Sequence, residues 1–161
     1  ISSMAPLFYS RMDFLTMVVS MMVCISVGSF PGMIVSAAGI YSSLELPPLS
    51  PPAILFPIVW ILIYASIGIV LWKMHREGAE SQFYILFGIQ MVTNIIWVPI
   101  FFLIGDMFLA AADIIVLWIS VFAMLRYVDD FGDRLVFYLL ATYLLWLTYA
   151  LYLNIGVILL N

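Results

Sequence analysis

The sequence contains very little charge. Only 9% of its 161 residues are Asp, Glu, Lys or Arg, whereas a soluble domain carries about 25%. Two thirds of the residues are apolar and the mean hydropathy is +1.23, so the polar side chains needed to cover a water-soluble globule are missing. A soluble enzyme is therefore excluded. With five Lys and Arg residues and a net charge of −4, nucleic acid is also not expected as a partner.

Cysteine and histidine are almost absent. Cys24 is the single cysteine, so no internal disulfide can form. His75 is the single histidine; it could be an axial haem ligand, although a lone exposed histidine is more often only solvated. We predict no zinc or copper site. The motifs HExxH, GxSxG and a phosphate-binding glycine loop are also missing, which disfavours a conventional hydrolase, kinase or metalloenzyme.

Long apolar runs, in contrast, are abundant. A transmembrane helix needs about 20 mostly apolar residues, and five stretches qualify: 14–37, 53–72, 83–103, 108–125 and 135–160. Their hydrophobicity is continuous rather than alternating, which argues against a β-barrel. The sequence thus predicts an all-α integral membrane protein, with one five-helix domain over residues 1–161.

The basic residues predict an orientation. In an up-down bundle of five helices they all fall on one side: Arg11, Lys73, Arg76, Arg126 and Arg134. The opposite side carries Glu45 and Asp106 and no basic residue. By the positive-inside rule, the N-terminus is expected on the cytoplasm-like side and the C-terminus opposite. The membrane could be a bacterial one or the outer membrane of an organelle.

The first loop, about residues 38–52, is rich in proline, with Pro47, Pro48, Pro51 and Pro52. Residues that precede proline favour extended conformations, so this loop should be stiff and non-helical. It could be a lid over one end of the bundle or simply a connector, and its position alone does not separate the two.

Polar and aromatic residues form a stripe along the third helix. Gln90, Asn94, Trp97 and Phe101 are spaced by four, three and four residues and share one face. An amide without a partner is costly in lipid, so this face should point into the bundle. Hydrogen bonds between helices and contacts with a ligand are both open interpretations.

Two further helices carry aromatic faces. The second helix has Phe56, Trp60 and Tyr64 at a spacing of four. The residues that share one face of the fifth helix are Thr142, Trp146, Tyr149, Ala150 and Leu153. Such faces could line an apolar ligand cavity with a few polar tips, or they could form an ordinary aromatic core.

The roles of three other residues, Asp113, Gly28 and Gly32, have more than one interpretation. Asp113 lies inside the fourth helix, and a carboxylate within the membrane suggests a functional site. Because it is close to the helix start, hydration or a local partner is an equally simple explanation. Gly28 and Gly32 form a GxxxG pair that permits close helix packing or dimerisation.

Four sequence blocks resemble the translocator protein family, also called tryptophan-rich sensory proteins and, in animals, the peripheral-type benzodiazepine receptor. The first block is YSSLELPPLSPPAILFPIVWILIY, from Tyr41 to Tyr64. The second is QMVTNIIWVPIFF, from Gln90 to Phe102. The third is ADIIVLW, which ends at Trp118, and the fourth is YLLWLTYALYLN, which ends at Asn154. The resemblance covers about residues 20–161.

The resemblance implies a bundle whose cavity, under the loop 1 lid, binds protoporphyrin IX, haem and other aromatic ligands, with no required cofactor. By position, the lining residues are Trp60, Asn94, Trp146, Ala150 and Leu153. In bacterial relatives the tryptophans that match Trp60 and Trp146 are implicated in light-dependent porphyrin breakdown, so these two residues would be catalytic if this protein has that activity.

The chain also departs from the family pattern. The family usually has tryptophan where this sequence has Ile40 and Leu49, which puts aromatic contacts from the lid in question. It has proline where this chain has Thr142. No basic residue follows Tyr152, so the animal cholesterol-recognition segment is not supported.

Three functions are therefore open. The first is a tetrapyrrole receptor or carrier whose binding site is formed by Phe56, Trp60, Tyr64, Gln90, Asn94, Trp97, Trp146, Tyr149, Ala150 and Leu153. The second is a light-dependent porphyrin-degrading protein. The third is a regulatory subunit that binds other membrane proteins through helix 1 or 3. A homodimer in the lipid bilayer is compatible with each of them.

Overall fold

The computed structural model describes residues 7–34, 43–52 and 54–161, with backbone only for 31–34. In this part of the chain it contains five long helices and no strand. They are α1 (Arg11–Ile34), α2 (Leu55–Arg76), α3 (Ser81–Val98, continued by a π-helical segment, Pro99–Ile104), α4 (Met107–Phe131) and α5 (Arg134–Leu160). Each is long and apolar enough to cross a membrane, so the predicted all-α architecture is confirmed.

Several helix ends differ from the predicted ones; α2, for example, ends at Arg76 instead of residue 72. The fourth helix was expected to stop at residue 125, where the apolar run ends, but α4 continues to Phe131. The first helix begins at Arg11 instead of residue 14. Its predicted last residues, 35–37, lie outside the described residues, as do Ile40 and Tyr41.

Two Gly-Asp pairs make the tight connections around α4. Gly105 and Gly132 end their helices in the left-handed conformation, with φ of 76° and 94°, which glycine adopts without steric cost. The next residue in each case caps the following helix: Asp106 accepts from the Leu109 N–H and Asp133 from the Val136 N–H, both at 3.0 Å. The second pair explains why α4 continues beyond its apolar run: the helix ends only at Gly132, which adopts the left-handed conformation.

The helices form a closed ring in the order α1, α2, α5, α4, α3, and α3 returns to α1. We call the two ends of the bundle the basic end, which carries Lys73, Arg76 and Arg134, and the loop 1 end. Glycines bring α1 and α2 close together. Gly28 lies under the Tyr64 ring, and Gly68 lies against the Met21 backbone. In both places an added Cβ would lie 2.3–2.4 Å from its neighbour.

Proline changes the geometry at the end of α3. Pro99 lacks an N–H, and its ring is incompatible with a regular helical turn at this position. The helix widens here into a π-helical segment, closed by a 3.0 Å hydrogen bond from the Gly105 N–H to the Ile100 carbonyl. The wider turn places both Phe101 and Phe102 in the core.

Candidate functional site

A chain of hydrogen bonds crosses the middle of the bundle. We call it the amide–tyrosine network; its members are Tyr64, Gln90, Asn94 and Tyr143. The Tyr64 hydroxyl donates to Asn94 Oδ1 (2.5 Å), and Asn94 Nδ2 donates to the Tyr143 oxygen. The Tyr143 hydroxyl then donates to Gln90 Oε1 at 2.9 Å. The Asn94 side chain therefore has partners on both its oxygen and its nitrogen, and the network joins α2, α3 and α5.

Tyr143 is the member of this network that sequence reasoning missed as a site residue. It is 2% exposed and lies between two amides of α3. The available signal was the spacing of Tyr143, Leu147, Ala150 and Asn154, which form the buried face of α5. Thr142, in contrast, was wrongly expected on the inner face. It is exposed, and its hydroxyl donates to the Tyr138 carbonyl of its own helix.

Nearer to loop 1, aromatic rings fill the bundle. This indole cluster consists of Phe56, Trp60, Trp97 and Trp146. The Trp60 and Trp146 rings meet edge to face, with centroids 6.2 Å apart. Phe56 lies 6.1 Å from Trp146, and Trp97 lies 6.3 Å from Trp60. Edge-to-face and tilted contacts of this kind are favourable for aromatic quadrupoles.

The three indole N–H groups of this cluster differ in one respect. Trp97 Nε1 donates to Asn154 Oδ1 at 3.1 Å, and Asn154 Nδ2 donates in turn to the Met107 carbonyl. Trp60 Nε1 and Trp146 Nε1 are also buried, but no acceptor for either exists in the described part of the chain. A buried donor without a partner costs about 1–3 kcal/mol. The two rings that carry these donors are in contact with each other.

Two other predicted site residues, Ala150 and Leu153, lie on the same helix as Trp146 and are 2% and 1% exposed. Tyr149 is half-buried, and its ring lies 5.6 Å from that of Trp146. The structure thus buries Ala150 and Leu153 on the inner side of α5 and places Tyr149 beside Trp146. Gln90 and Asn94 lie deeper, in the amide–tyrosine network.

Loop 1 is fastened to the C-terminal half of α5. The Tyr149 and Tyr152 hydroxyls donate to the backbone carbonyls of Leu49 and Pro48. Beyond them, the Asn161 side chain accepts from the Glu45 N–H (3.1 Å) and donates to the Glu45 carbonyl (2.9 Å). These contacts hold the proline-rich loop against one end of α5.

Two features of loop 1 depart from a simple connector. Pro47 packs on Gly156, where an added Cβ would lie 2.4 Å from the proline ring. Leu49 has a φ of 64° and is 87% exposed. It therefore makes no aromatic or apolar contact with the cluster, at the position where the resemblance expects a tryptophan.

At the basic end, Lys73 lies between two carboxylates. Its ammonium is 2.8 Å from Glu77 Oε1 and 2.5 Å from Asp133 Oδ2. Burial and the neighbouring Asp133 raise the pKa of Glu77, against the pull of Lys73. Burial acts in the same direction on Asp133, but hydrogen bonds from Glu77, Lys73 and the Val136 N–H outweigh it and hold the pKa of Asp133 below its usual range. This cluster ties α2 to the start of α5 and lies at the opposite end from the indoles.

Comparison with known proteins agrees with this arrangement. A sequence profile of the TspO/MBR family matches residues 20–160. The tryptophan-rich protein TspO of Chlorobaculum tepidum is 32% identical over 155 residues, which cover 91% of this chain and 96% of the relative.

Protein CrtK of Rhodobacter capsulatus is 32% identical over 136 residues, 81% of this chain and 83% of the relative. The translocator protein homolog of Schizosaccharomyces pombe is 30% identical over 127 residues, 75% of this chain and 77% of the relative. The five apolar helices, together with these matches, describe an integral, multi-pass membrane protein. The chain belongs to the TspO/MBR family.

Proposed function

We propose that this protein is a membrane receptor or carrier for tetrapyrroles such as protoporphyrin IX and haem, and for other flat hydrophobic ligands. The observation that carries the proposal is the pair of buried, unpartnered N–H groups on Trp60 and Trp146. A ligand that presents an aromatic face and a hydrogen-bond acceptor, such as a carboxylate or a carbonyl oxygen, would complement both the rings and their donors.

The geometry also sets a requirement for binding. The Trp60 and Trp146 centroids are 6.2 Å apart and in edge-to-face contact, so a flat ligand enters between them only if one ring turns or moves. Trp146 is the partly exposed ring of the pair, and it belongs to the helix that holds loop 1. Release of loop 1 and rotation of Trp146 together therefore form the entry step.

The expected affinity is micromolar. Aromatic pairs contribute about 0.5–1.5 kcal/mol each beyond the area that they bury, and ordering the loop and side chains costs part of that gain. Binding of this strength suits a carrier or sensor that has to release its ligand.

The test is a protoporphyrin IX titration of the purified protein in micelles, read from the porphyrin Soret band. The double variant Trp60→Phe/Trp146→Phe keeps aromatic rings and removes both donors, and we expect at least a tenfold weaker affinity, about 1.4 kcal/mol. Trp118→Phe is the matched control. Trp118 donates to Thr148 and stacks on Phe122, outside the cluster. Equal affinities of the wild type and the double variant would reject the site.

Light-dependent breakdown of the bound porphyrin is a second candidate. The contact between Trp60 and Trp146 favours it, because an indole oxidised by an excited porphyrin would have a second indole beside it. Loss of the Soret absorbance under illumination is the measurement, with porphyrin on serum albumin as the control. A rate equal to that of the control, or unchanged in the Phe double variant, contradicts this activity.

The orientation is part of the same proposal. We place the basic end, with Lys73, Arg76 and Arg134, on the cytoplasm-like side, because positive charge is retained there. In a Cys24→Ser background, a membrane-impermeant maleimide added outside sealed cells should label Leu49→Cys and not Gln82→Cys, both exposed positions. The reverse labelling pattern would show that the protein has the opposite orientation in the membrane.

A further inference from the structure

Asp113 is a buried carboxylate that the network and the indole cluster leave unused. It lies six residues into α4, inside a membrane-crossing helix. Its residue is 8% exposed, and its Oδ2 is fully buried without a hydrogen-bond partner among the described residues. The local partner that the sequence suggested is therefore missing. Carboxylates at this depth normally pair with another group.

No basic side chain of this protein can neutralise Asp113. The five Lys and Arg residues lie at the beginning of α1 and α5, in the last turn of α2, or, for Arg126, five residues before the end of α4. Arg126, on the same helix, is 13 residues away, which is about 20 Å along the axis. Lys73 is engaged with Glu77 and Asp133. An ionised Asp113 would therefore take its counter-charge from outside the chain.

Asp113 faces the inside of the bundle at the depth of the proposed ligand. It belongs to the buried face of α4, together with Ala110, Ile114 and Leu117. Both α2 and α4 begin at the loop 1 end, and Trp60 is five residues into α2. At 1.5 Å per residue, Trp60 and Asp113 lie about 8–9 Å below that end on different walls of the bundle.

We infer that Asp113 binds the protonated amine of a cationic aromatic ligand, so that this protein prefers amine-bearing ligands over neutral ones of the same shape. The inference rests on the proposed function, because the aromatic part of the ligand would lie against the indole cluster. It adds a charge preference that the indoles alone do not create. A carboxylate–ammonium contact away from water is among the strong, charge-assisted hydrogen bonds.

The experiment compares two fluorescent probes of nearly equal shape in neutral-detergent micelles. One is 9-aminoacridine, which is cationic near neutral pH, and the other is acridine, which is neutral there. For the wild type we expect about tenfold tighter binding of 9-aminoacridine, equivalent to about 1.4 kcal/mol, after subtraction of binding to empty micelles.

The variants assign the preference to one residue. Asp113→Asn should abolish it, and Asp113→Glu should retain it. Asp106→Asn is the matched control, because it removes the same charge from the first residues of the same segment and keeps a helix-capping side chain. It should leave the preference intact.

Two results would overturn the inference. One is equal binding of the two probes to the wild type, which would mean that a proton already occupies the carboxyl group. The other is a preference that survives in Asp113→Asn. The proposed function is tested by a separate readout, the affinity of the wild type and the Trp60→Phe/Trp146→Phe variant for protoporphyrin IX, which does not depend on an amine.

Discussion

The amide–tyrosine network and the indole cluster are neighbouring layers of one bundle, yet they differ in how their polar groups are satisfied. In the network, Asn94 has a partner at each end of its amide, and Tyr143 both accepts and donates. In the cluster, Trp60 and Trp146 keep buried donors without acceptors. A saturated layer stabilises the fold by itself, whereas an unsaturated layer has hydrogen-bonding capacity left for a ligand. The layers should therefore respond differently to mutation.

The largest effect is expected in the network. Asn94→Leu leaves the Tyr64 hydroxyl without its acceptor and the Tyr143 oxygen without its donor. Each of the two groups left unsatisfied costs about 1–3 kcal/mol, so we expect a total loss of about 2–6 kcal/mol. Unfolding of the purified protein in micelles, by heat or by denaturing detergent, measures it. A loss below about 0.5 kcal/mol would show that the network does not hold the helices together.

The same substitution in two tryptophans gives the sharpest comparison. Trp97→Phe removes the donor to Asn154 Oδ1, whereas Trp60→Phe removes a donor that has no partner. Because the volume lost is the same, the difference isolates the hydrogen bond. We expect Trp97→Phe to be about 1–2 kcal/mol less stable than Trp60→Phe. Equal stabilities of the two variants would erase the distinction between saturated and unsaturated donors.

A smaller effect is expected where loop 1 is attached to α5. Tyr149→Phe/Tyr152→Phe removes two hydroxyl donors to the loop backbone. Each hydrogen bond contributes about 0.5–1.5 kcal/mol, so dissociation of protoporphyrin IX should become about fivefold faster. Stopped-flow measurement of release tests this, with Tyr138→Phe, an exposed tyrosine near the opposite end of α5, as the control. An unchanged rate would mean that the loop does not limit release.

The smallest effect belongs to the basic end, where charge replaces neutral hydrogen bonds. The raised pKa of Glu77 means that folding favours its protonated form, so this contribution to stability is present at low pH and is lost as the pH rises above its ordinary value of 4.5. Asp133, with a lowered pKa, acts oppositely and stabilises above its ordinary value of 3.8.

Glu77→Gln keeps this side chain neutral at every pH, as the protonated Glu77 is, so the loss of stability with rising pH no longer occurs. We expect its melting temperature to exceed that of the wild type by about 1–3 °C near neutral pH, and the difference to vanish in acid. Thermal unfolding at several pH values is the measurement. Glu80→Gln, on an exposed residue three positions away, is the control. A melting temperature below the wild-type value at neutral pH would mean that the ion pair with Lys73 outweighs the burial of Glu77.

Periodicity explains which parts of this structure the sequence could predict. Gln90, Asn94 and Trp97 recur at helical spacing, so their common inward face followed from geometry alone. Hydropathy did not predict the end of α4, because the signal that ends this helix is the pair Gly132-Asp133 and not the end of the apolar run. The role of Tyr143 depends on which amide its hydroxyl reaches, and spacing does not contain that information.

The hydrogen-bonding state of the indoles was also beyond the sequence. Trp60, Trp97 and Trp146 are the same residue type on inward faces, and only the three-dimensional position of Asn154 separates the bonded one from the other two. Local patterns fix orientation within one helix, whereas partners on other helices are fixed by how the helices pack.

The attachment of loop 1 to α5 has a consequence for biosynthesis. Loop 1 leaves the ribosome early, but the residues that hold it, from Tyr149 to Asn161, are translated 100 to 116 residues after their partners. In a nascent chain with only four inserted helices, loop 1 therefore lacks these hydrogen-bond partners. The attachment of loop 1 can form only when the fifth helix is complete, and a chain whose synthesis stops before that point would lack it.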